Sequence, residues 1–199
     1  MTEPGTARPV IALDYDGTIA NTNFSKRVWI REHLDMDVPE WKCDRTNCVG
    51  IIGLDNYERM GEYVYGPEAS RGAKPVAGSL RTIKQLSRLF DLAIVTARSE
   101  ERIAYAREWL KTCSLSSHIS DIIPQEGREK LDIARELGAG ALLDDDVRHL
   151  KPSEDIPIVR YCLAPGKTMA LTYEQGIIYV RTWSAFKKHV KTSLTGQYG

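Results

Sequence analysis

The sequence predicts an α/β fold, a mostly parallel sheet with helices on both faces. Three observations predict it. Short apolar runs rich in β-branched residues recur along the chain, segments of helical period separate them, and one early interval of different composition interrupts the alternation. Parallel strands need long crossovers and are covered on both faces, which is what such an alternation supplies.

The first run, Val10 to Leu13, predicts a buried strand. From Asn21 to Pro75 the chain is richer in aromatic and charged residues, with helical patches at Phe24–Leu34 and Asn56–Tyr65. This reads as a small helical cap inserted after the first strand, so that residues 1–20 and 76–199 form the core and residues 21–75 the cap. Lys74-Pro75-Val76-Ala77-Gly78 is a stiff return, with proline restricting the backbone and glycine opening the next helix. Ser79 to Phe90 places Leu80, Ile83, Leu86, Leu89 and Phe90 on one helical face, and Leu92–Val95 is the next strand. Ser99 to Leu110 repeats the pattern with Ile103, Ala106, Trp109 and Leu110, and Ser99 is its expected N-cap. Ile119–Ile123 follows as a strand, then a helix over Glu129–Leu137 stopped by Gly138. Strands at Ala141–Leu143, Ile158–Tyr161 and Ile177–Val180 complete the set, and the Ser- and Gly-containing residues after His189 are expected to fray.

The 199 residues suit one domain carrying an insertion, and 42% hydrophobic residues suffice for a substantial core. Lys plus Arg and Asp plus Glu both total 27, so no global positive field draws in long nucleic acid or an anionic membrane. A small substrate is expected instead. No stretch approaches the ~20 apolar residues that cross a bilayer, and the N-terminus shows no charged leader with an apolar segment, which leads us to expect a cytoplasmic protein. Cys43, Cys48, Cys113 and Cys162 form no pair of close-spaced pairs, which argues for reduced thiols over a disulfide scaffold or zinc site.

The most informative stretch is Val10-Ile11-Ala12-Leu13-Asp14-Tyr15-Asp16-Gly17-Thr18. A buried strand that surfaces at two carboxylates offers one as a nucleophile and the other as an acid or base, and glycine permits a sharp exit. A D-x-D-G-T string arises by chance in a chain this long on the order of once in five hundred. Two further runs end in useful groups: Val95 is followed by Thr96-Ala97-Arg98, and Leu143 by Asp144-Asp145-Asp146. In open α/β sheets ligands bind beyond the carboxyl ends of the strands, where strand order reverses, so the three ends can meet. Lys130, opening the helix before the acidic triplet, can reach the same place as a cation.

This set, Asp14-x-Asp16-Gly17-Thr18, Thr96, Lys130 and Asp144-Asp145, resembles the four motifs of the haloacid dehalogenase (HAD) superfamily over nearly the whole chain. The resemblance implies a HAD-like Rossmannoid core in which Asp14 attacks phosphorus and Asp16 handles the proton. It also implies that Thr96, Ala97, Arg98 and Lys130 bind the substrate, and that Mg²⁺ sits on Asp14, the Asp16 backbone carbonyl, Asp144 and Asp145. Superfamily members that dehalogenate or pump ions differ at the position of Asp16, whereas phosphatases and mutases carry an acid there. Thr96-Ala97-Arg98-Ser99-Glu100, the stretch from Lys130 to Asp145 and the closing Val180-Arg181-Thr182-Trp183 are similar to the 5'-deoxyribonucleotidase-like branch. The implied activity is Mg²⁺-dependent hydrolysis of phosphomonoesters, with (deoxy)nucleoside monophosphates as the leading substrates.

The chemistry needs these groups together. A phosphate dianion repels an anionic nucleophile unless a divalent cation, Lys130 and amide donors neutralise it. Asp16 must hold a proton near neutral pH to protonate a leaving oxygen, which crowding by other carboxylates favours. Arg98 has two expected uses: a second substrate group, or a tie to a carboxylate such as Glu100 or one from the cap.

Taken singly, several of these residues have plainer readings. Asp14 and Asp16 can close an acidic turn, Thr96 can cap a helix, and Lys130 can be a solvated helix residue. Asp146 reads as a cap for the segment beginning at Val147; the aromatics Phe24, Trp29, Trp41, Tyr57, Tyr63 and Tyr65 can stack on a base, but at helical spacing they read more plainly as local core of the cap. His33, His118, His149 and His189 share no metal-site spacing. Other functions also fit. The phosphatase domain of polynucleotide kinase-phosphatases, which acts on nucleic-acid 3'-phosphates, resembles this layout, with the neutral net charge against it. A phosphatase of another small metabolite, a phosphomutase and a non-catalytic ligand-binding module are the remaining alternatives.

Overall fold

The computed structural model describes residues 8–151, 156–165 and 174–196. Six parallel strands form one sheet: β1 (Val10–Leu13), β2 (Asp91–Thr96), β3 (Asp121–Pro124), β4 (Ala139–Asp144), β5 (Val159–Leu163) and β6 (Ile177–Val180), in the order β3-β2-β1-β4-β5-β6. Strand order reverses at β1 and β4, so the carboxyl ends of β2, β1 and β4 lie side by side. Each predicted strand is present, with β4 extended to include Asp144.

The alternation of side chains across the sheet builds two apolar layers. Ile11, Leu13, Leu92, Ile94, Leu143 and Tyr161 face α5 (Ser79–Leu86), α6 (Glu100–Thr112) and α8 (Trp183–Thr195). Ala12, Val95, Leu142 and Cys162 face α7 (Lys130–Glu136) on the other side. The expected fray after His189 is corrected as far as Thr195, where α8 ends, because Trp183, Phe186, Val190 and Leu194 form one buried stripe and the Thr182 hydroxyl caps the start by accepting from the Ala185 amide; residues 197–199 of that expectation lie outside the described residues. Ser99 occupies the N-cap position of α6, but its side chain makes no capping hydrogen bond.

Between β1 and α5 stand α1 (Thr22–Leu34), α2 (Arg45–Ile52), α3 (Leu54–Val64) and α4 (Pro67–Arg71). Trp29, Ile30, Val38, Cys43, Cys48, Ile52, Tyr57, Met60 and Val64 form an apolar cluster of their own. Chain exit and return are adjacent: Ala20 pairs with Pro75, the Asn21 amide donates to the Lys74 carbonyl at 2.6 Å, and the Val76 amide donates to the Ile19 carbonyl at 2.9 Å. We propose residues 21–75 as the cap on this ground. No helix among the described residues is long and apolar enough to cross a membrane.

Candidate active site

Asp14 follows the last residue of β1 and is 3% exposed. Its Oδ1 accepts from Lys130 Nζ at 2.5 Å, and the same ammonium donates to Asp144 Oδ2 at 2.7 Å. Asp144 closes β4, and its Oδ1 accepts from the Asp146 amide at 2.8 Å. Lys130, the first residue of α7, reaches under the sheet end with its whole side chain buried, so one ammonium bridges two strand tips. Asp14 Oδ2 is buried without a hydrogen-bond partner.

Asp145 completes a cluster: one oxygen from each of Asp14, Asp144 and Asp145 lies within 4.8 Å of the others. Asn23, in the first turn of α1, donates its Nδ2 to Asp145 Oδ2 at 2.9 Å. Gly17 makes room for that carboxylate. Its φ of +84° is the left-handed region, and a Cβ there would stand 2.1 Å from Asp145 Oδ2. Three hard oxygen donors, one of them an orphaned buried carboxylate oxygen, fit an oxygen-seeking divalent cation such as Mg²⁺.

Burial and the neighbouring charges of Asp144 and Asp16 raise the Asp14 carboxyl to about 7, with Lys130 opposing the rise. Asp145 is pushed well up by burial and by Asp14 and Asp144. Lys130 stays firmly protonated, since its two carboxylates outweigh the cost of burial.

Of the two uses expected of Arg98, the tie to a carboxylate is present, with Asp16 as the partner. Its guanidinium grips Asp16 through two bonds, Nε to Oδ2 and Nη2 to Oδ1, both 2.8 Å. It ties to neither Glu100 nor a cap carboxylate; the cap contributes Ser70 of α4, whose Oγ accepts from Arg98 Nη1 at 2.9 Å. The guanidinium lies 4.9 Å from the Tyr15 ring centroid and 5.5 Å from that of Tyr65. Asp16 thus pairs with a cation, with the Asp14 carboxylate also near enough to interact with it. Thr96 is fully buried at the tip of β2, where its hydroxyl accepts from the Arg98 amide at 3.2 Å and keeps its own proton to donate. Ala97 and Arg98 line the cavity beyond it.

That cavity, about 240 Å³, brings Asp14, Asp16, Ala97, Arg98, Lys130, Asp144 and Asp145 together. Its opposite wall comes from the insertion: Lys26 of α1, Asp44 and Arg45 at the start of α2, Tyr57 of α3, and Tyr65. Lys26, Asp44 and Arg45 escaped the sequence reading; Tyr57 and Tyr65 belong to the insertion's apolar cluster, as the plainer reading has it, and also border the cavity. The polar spacing of Asn23 and Lys26, three apart on α1 just after the double aspartate, was a usable signal. Tyr63 is 56% exposed, and Trp29 sits in the insertion's own cluster. Asp146 does cap the segment after it, accepting from the Arg148 amide at 3.0 Å.

No protein-family model and no curated protein matches the chain. Solved structures do. A HAD family hydrolase from Deinococcus radiodurans, with bound phosphate and sodium, aligns at 12% identity and a TM-score of 0.63 over 94% of this chain and 96% of its own. The HAD-hydrolase YfnB from Bacillus subtilis, bound to magnesium, aligns at 14% identity and 0.56 over 94% and 100%. L-2-haloacid dehalogenase from Xanthobacter autotrophicus, with chloropropionic acid covalently bound, aligns at 11% and 0.58 over 92% and 98%. The chain has the Rossmann-type fold of these HAD-superfamily proteins.

Proposed function

We propose that the protein is a phosphomonoester hydrolase that passes through an aspartyl-phosphate on Asp14, with a small phosphorylated metabolite as substrate. The observation that carries this reading is Asp14 itself: one oxygen is held by Lys130 and the other is buried, unpartnered and set in an acidic cluster. Asp14, Asp144 and Asp145, with the Asp16 backbone carbonyl, would hold Mg²⁺, which supplies positive charge that lets an anionic nucleophile approach a phosphate dianion.

Asp14 Oδ2 attacks phosphorus and the bond to the ester oxygen breaks. Asp16 is the group placed to give a proton to the departing oxygen, a role that requires it to leave the Arg98 fork, whose two bonds occupy both of its oxygens. It then takes a proton from the water that attacks the same phosphorus, and the Asp14–phosphorus bond breaks to release inorganic phosphate. Lys130 and the Thr96 hydroxyl bind phosphoryl oxygens, and the amides around Ala97 and Arg98 add donors. The acid at position 16 favours this chemistry over dehalogenation. Tyr57 and Tyr65 on the cavity wall supply aromatic surface suited to a nucleobase, so (deoxy)nucleoside monophosphates head the substrate class.

The test is phosphate release by the purified chain from a panel of monophosphates with Mg²⁺ and with chelator. Metal-dependent release from nucleotides, abolished in Asp14→Asn, is the expected result. No release across the panel, or release that survives Asp14→Asn, overturns the reading.

A further inference from the structure

The cations around the cavity divide into two groups. Lys130 is matched to Asp14 and Asp144, Arg98 to Asp16, Arg102 to Glu62 at 2.7 Å and Arg148 to Asp146 at 2.5 Å. Lys26 and Arg45, both from the insertion, have no carboxylate within 4.0 Å among the described residues. We propose that these two form a subsite for a second anionic group, so that the preferred substrate is a phosphomonoester whose leaving alcohol itself carries a phosphate or carboxylate.

Lys26 is 5% exposed, and the groups in direct contact with its ammonium are neutral, while the Asp145 carboxylate acts on it from beyond ion-pair distance. Its Nζ donates to Asn23 Oδ1 at 3.4 Å, is hydrogen-bonded with the Tyr57 and Tyr65 side chains, and stands 5.8 and 5.7 Å from their ring centroids. A buried ammonium gains from an anion in direct contact, and a ligand entering the cavity can supply one where Asp145 acts only from a distance. Arg45 approaches the same Tyr57 ring, its guanidinium carbon 5.5 Å from the centroid, but from an exposed position at the start of α2. Tyr57 thus carries one cation in the depth of the cavity and one at its edge.

Charge counting separates this subsite from the reacting centre. Asp14, Asp144 and Asp145 are balanced by Lys130 and a divalent cation, and Asp16 is balanced by Arg98. The reacting end is already neutral without Lys26 and Arg45. Their two positive charges, set against the single carboxylate of Asp44 on the same wall, leave net positive charge facing the part of the substrate beyond the ester bond. Among nucleotides this favours a 3',5'-bisphosphate over a 5'-monophosphate; among sugar derivatives, a phosphorylated acid over a phosphorylated alcohol.

The proposal rests on the phosphomonoesterase reading for turnover, but its binding test does not. Calorimetry with Mg²⁺ on the Asp14→Asn chain compares adenosine 3',5'-bisphosphate with adenosine 5'-monophosphate, and 3-phosphoglycerate with glycerol 3-phosphate. Binding of the doubly anionic member should be tighter by about tenfold or more in at least one pair, and the pair that responds tells phosphate from carboxylate. Adding Arg45→Gln, an exposed change that leaves folding intact, should bring that ratio below about threefold. Lys26→Gln should do the same while Lys26→Arg keeps the preference. Ratios near one in both pairs, or a preference unmoved by Arg45→Gln and Lys26→Gln, overturn the subsite. A preference in binding with no phosphate release by the wild-type chain keeps the subsite and sinks the catalytic reading; release without preference does the reverse.

Discussion

The two walls of the cavity are built on different principles. On the sheet side the charged groups are tied to one another: Lys130 bridges Asp14 and Asp144 at 2.5 and 2.7 Å, and Arg98 holds Asp16 at 2.8 Å twice. On the inserted side aromatic rings dominate, and Lys26 and Arg45 go without a carboxylate among the described residues. The first wall is fixed by strand tips and the start of α7, and its acids outnumber its cations until a divalent cation joins them. The second offers surface and uncancelled charge. Such a division suits a site where one wall fixes the reacting atoms and the other selects what they act on.

Substitutions on the two walls should therefore fail in different ways. On the sheet side, Asp14→Asn removes the nucleophile and should lower kcat for phosphate release by about 10⁴-fold or more with Mg²⁺ saturating. On the inserted side, Tyr57→Ala should act on KM, by about tenfold, and leave kcat nearly intact. Steady-state kinetics on both variants checks the contrast. Equal losses of kcat from the two walls would erase it.

The acidic cluster gives the sheet side a pH signature that the inserted side lacks. A carboxyl raised from 3.8 to about 7 binds its proton more tightly in the folded chain than in the unfolded one. Its contribution to stability is therefore intact below about pH 4 and is lost as pH climbs through about 7. The metal-free protein should lose on the order of a few kcal/mol over that window from this group. Asp14→Asn should be more stable than the metal-free wild type at pH 8, and the gap should close toward pH 4. Adding Mg²⁺ should raise the wild-type Tm at pH 8 far more than that of the variant. Thermal melts with chelator and with metal across pH 4–8 measure all three, and melts of the two proteins that run parallel across that range would contradict the burial argument.

How much of this could be read from sequence also divides along the walls. Strand tips are set by backbone alternation, and an apolar run that stops at an acid announces both its strand and its active end, so Asp14, Thr96 and Asp144 were legible. Lys130 was legible by its place at the start of a periodic helix. The partner of Arg98 was not, because Asp16 is 82 residues away and the choice among carboxylates depends on where α4 and Tyr65 place the guanidinium. Lys26 and Arg45 were missed, and the two readings of Tyr57 were left unresolved, for a related reason. Short helices packed in an independent cluster carry no periodic signal for which face turns toward the core domain, and a tyrosine at helical spacing looks alike whether it fills that cluster or lines a cavity. The stripe of α8 was present in the sequence; its serine and glycine residues masked it.

Arg98 joins the two walls, which makes it the place to ask whether they are coupled. Arg98→Lys keeps the charge but loses the two-pronged grip on Asp16, and should lower kcat by about 10²-fold through misplacement of that carboxyl while KM moves little. Ser70→Ala perturbs the same guanidinium from the inserted side and should be milder. Its loss leaves Arg98 Nη1 only the distant Arg102 carbonyl at 3.5 Å, while both bonds to Asp16 stand. The expected cost is about 1–3 kcal/mol in chemical denaturation, the range for a buried hydrogen bond to a charged group, with kcat lowered by less than about tenfold. Ser70→Thr, which keeps the hydroxyl, should restore stability. If Ser70→Ala instead lowers kcat as far as Arg98→Lys does, the inserted side sets the catalytic geometry as well as the specificity, and the two walls work as one.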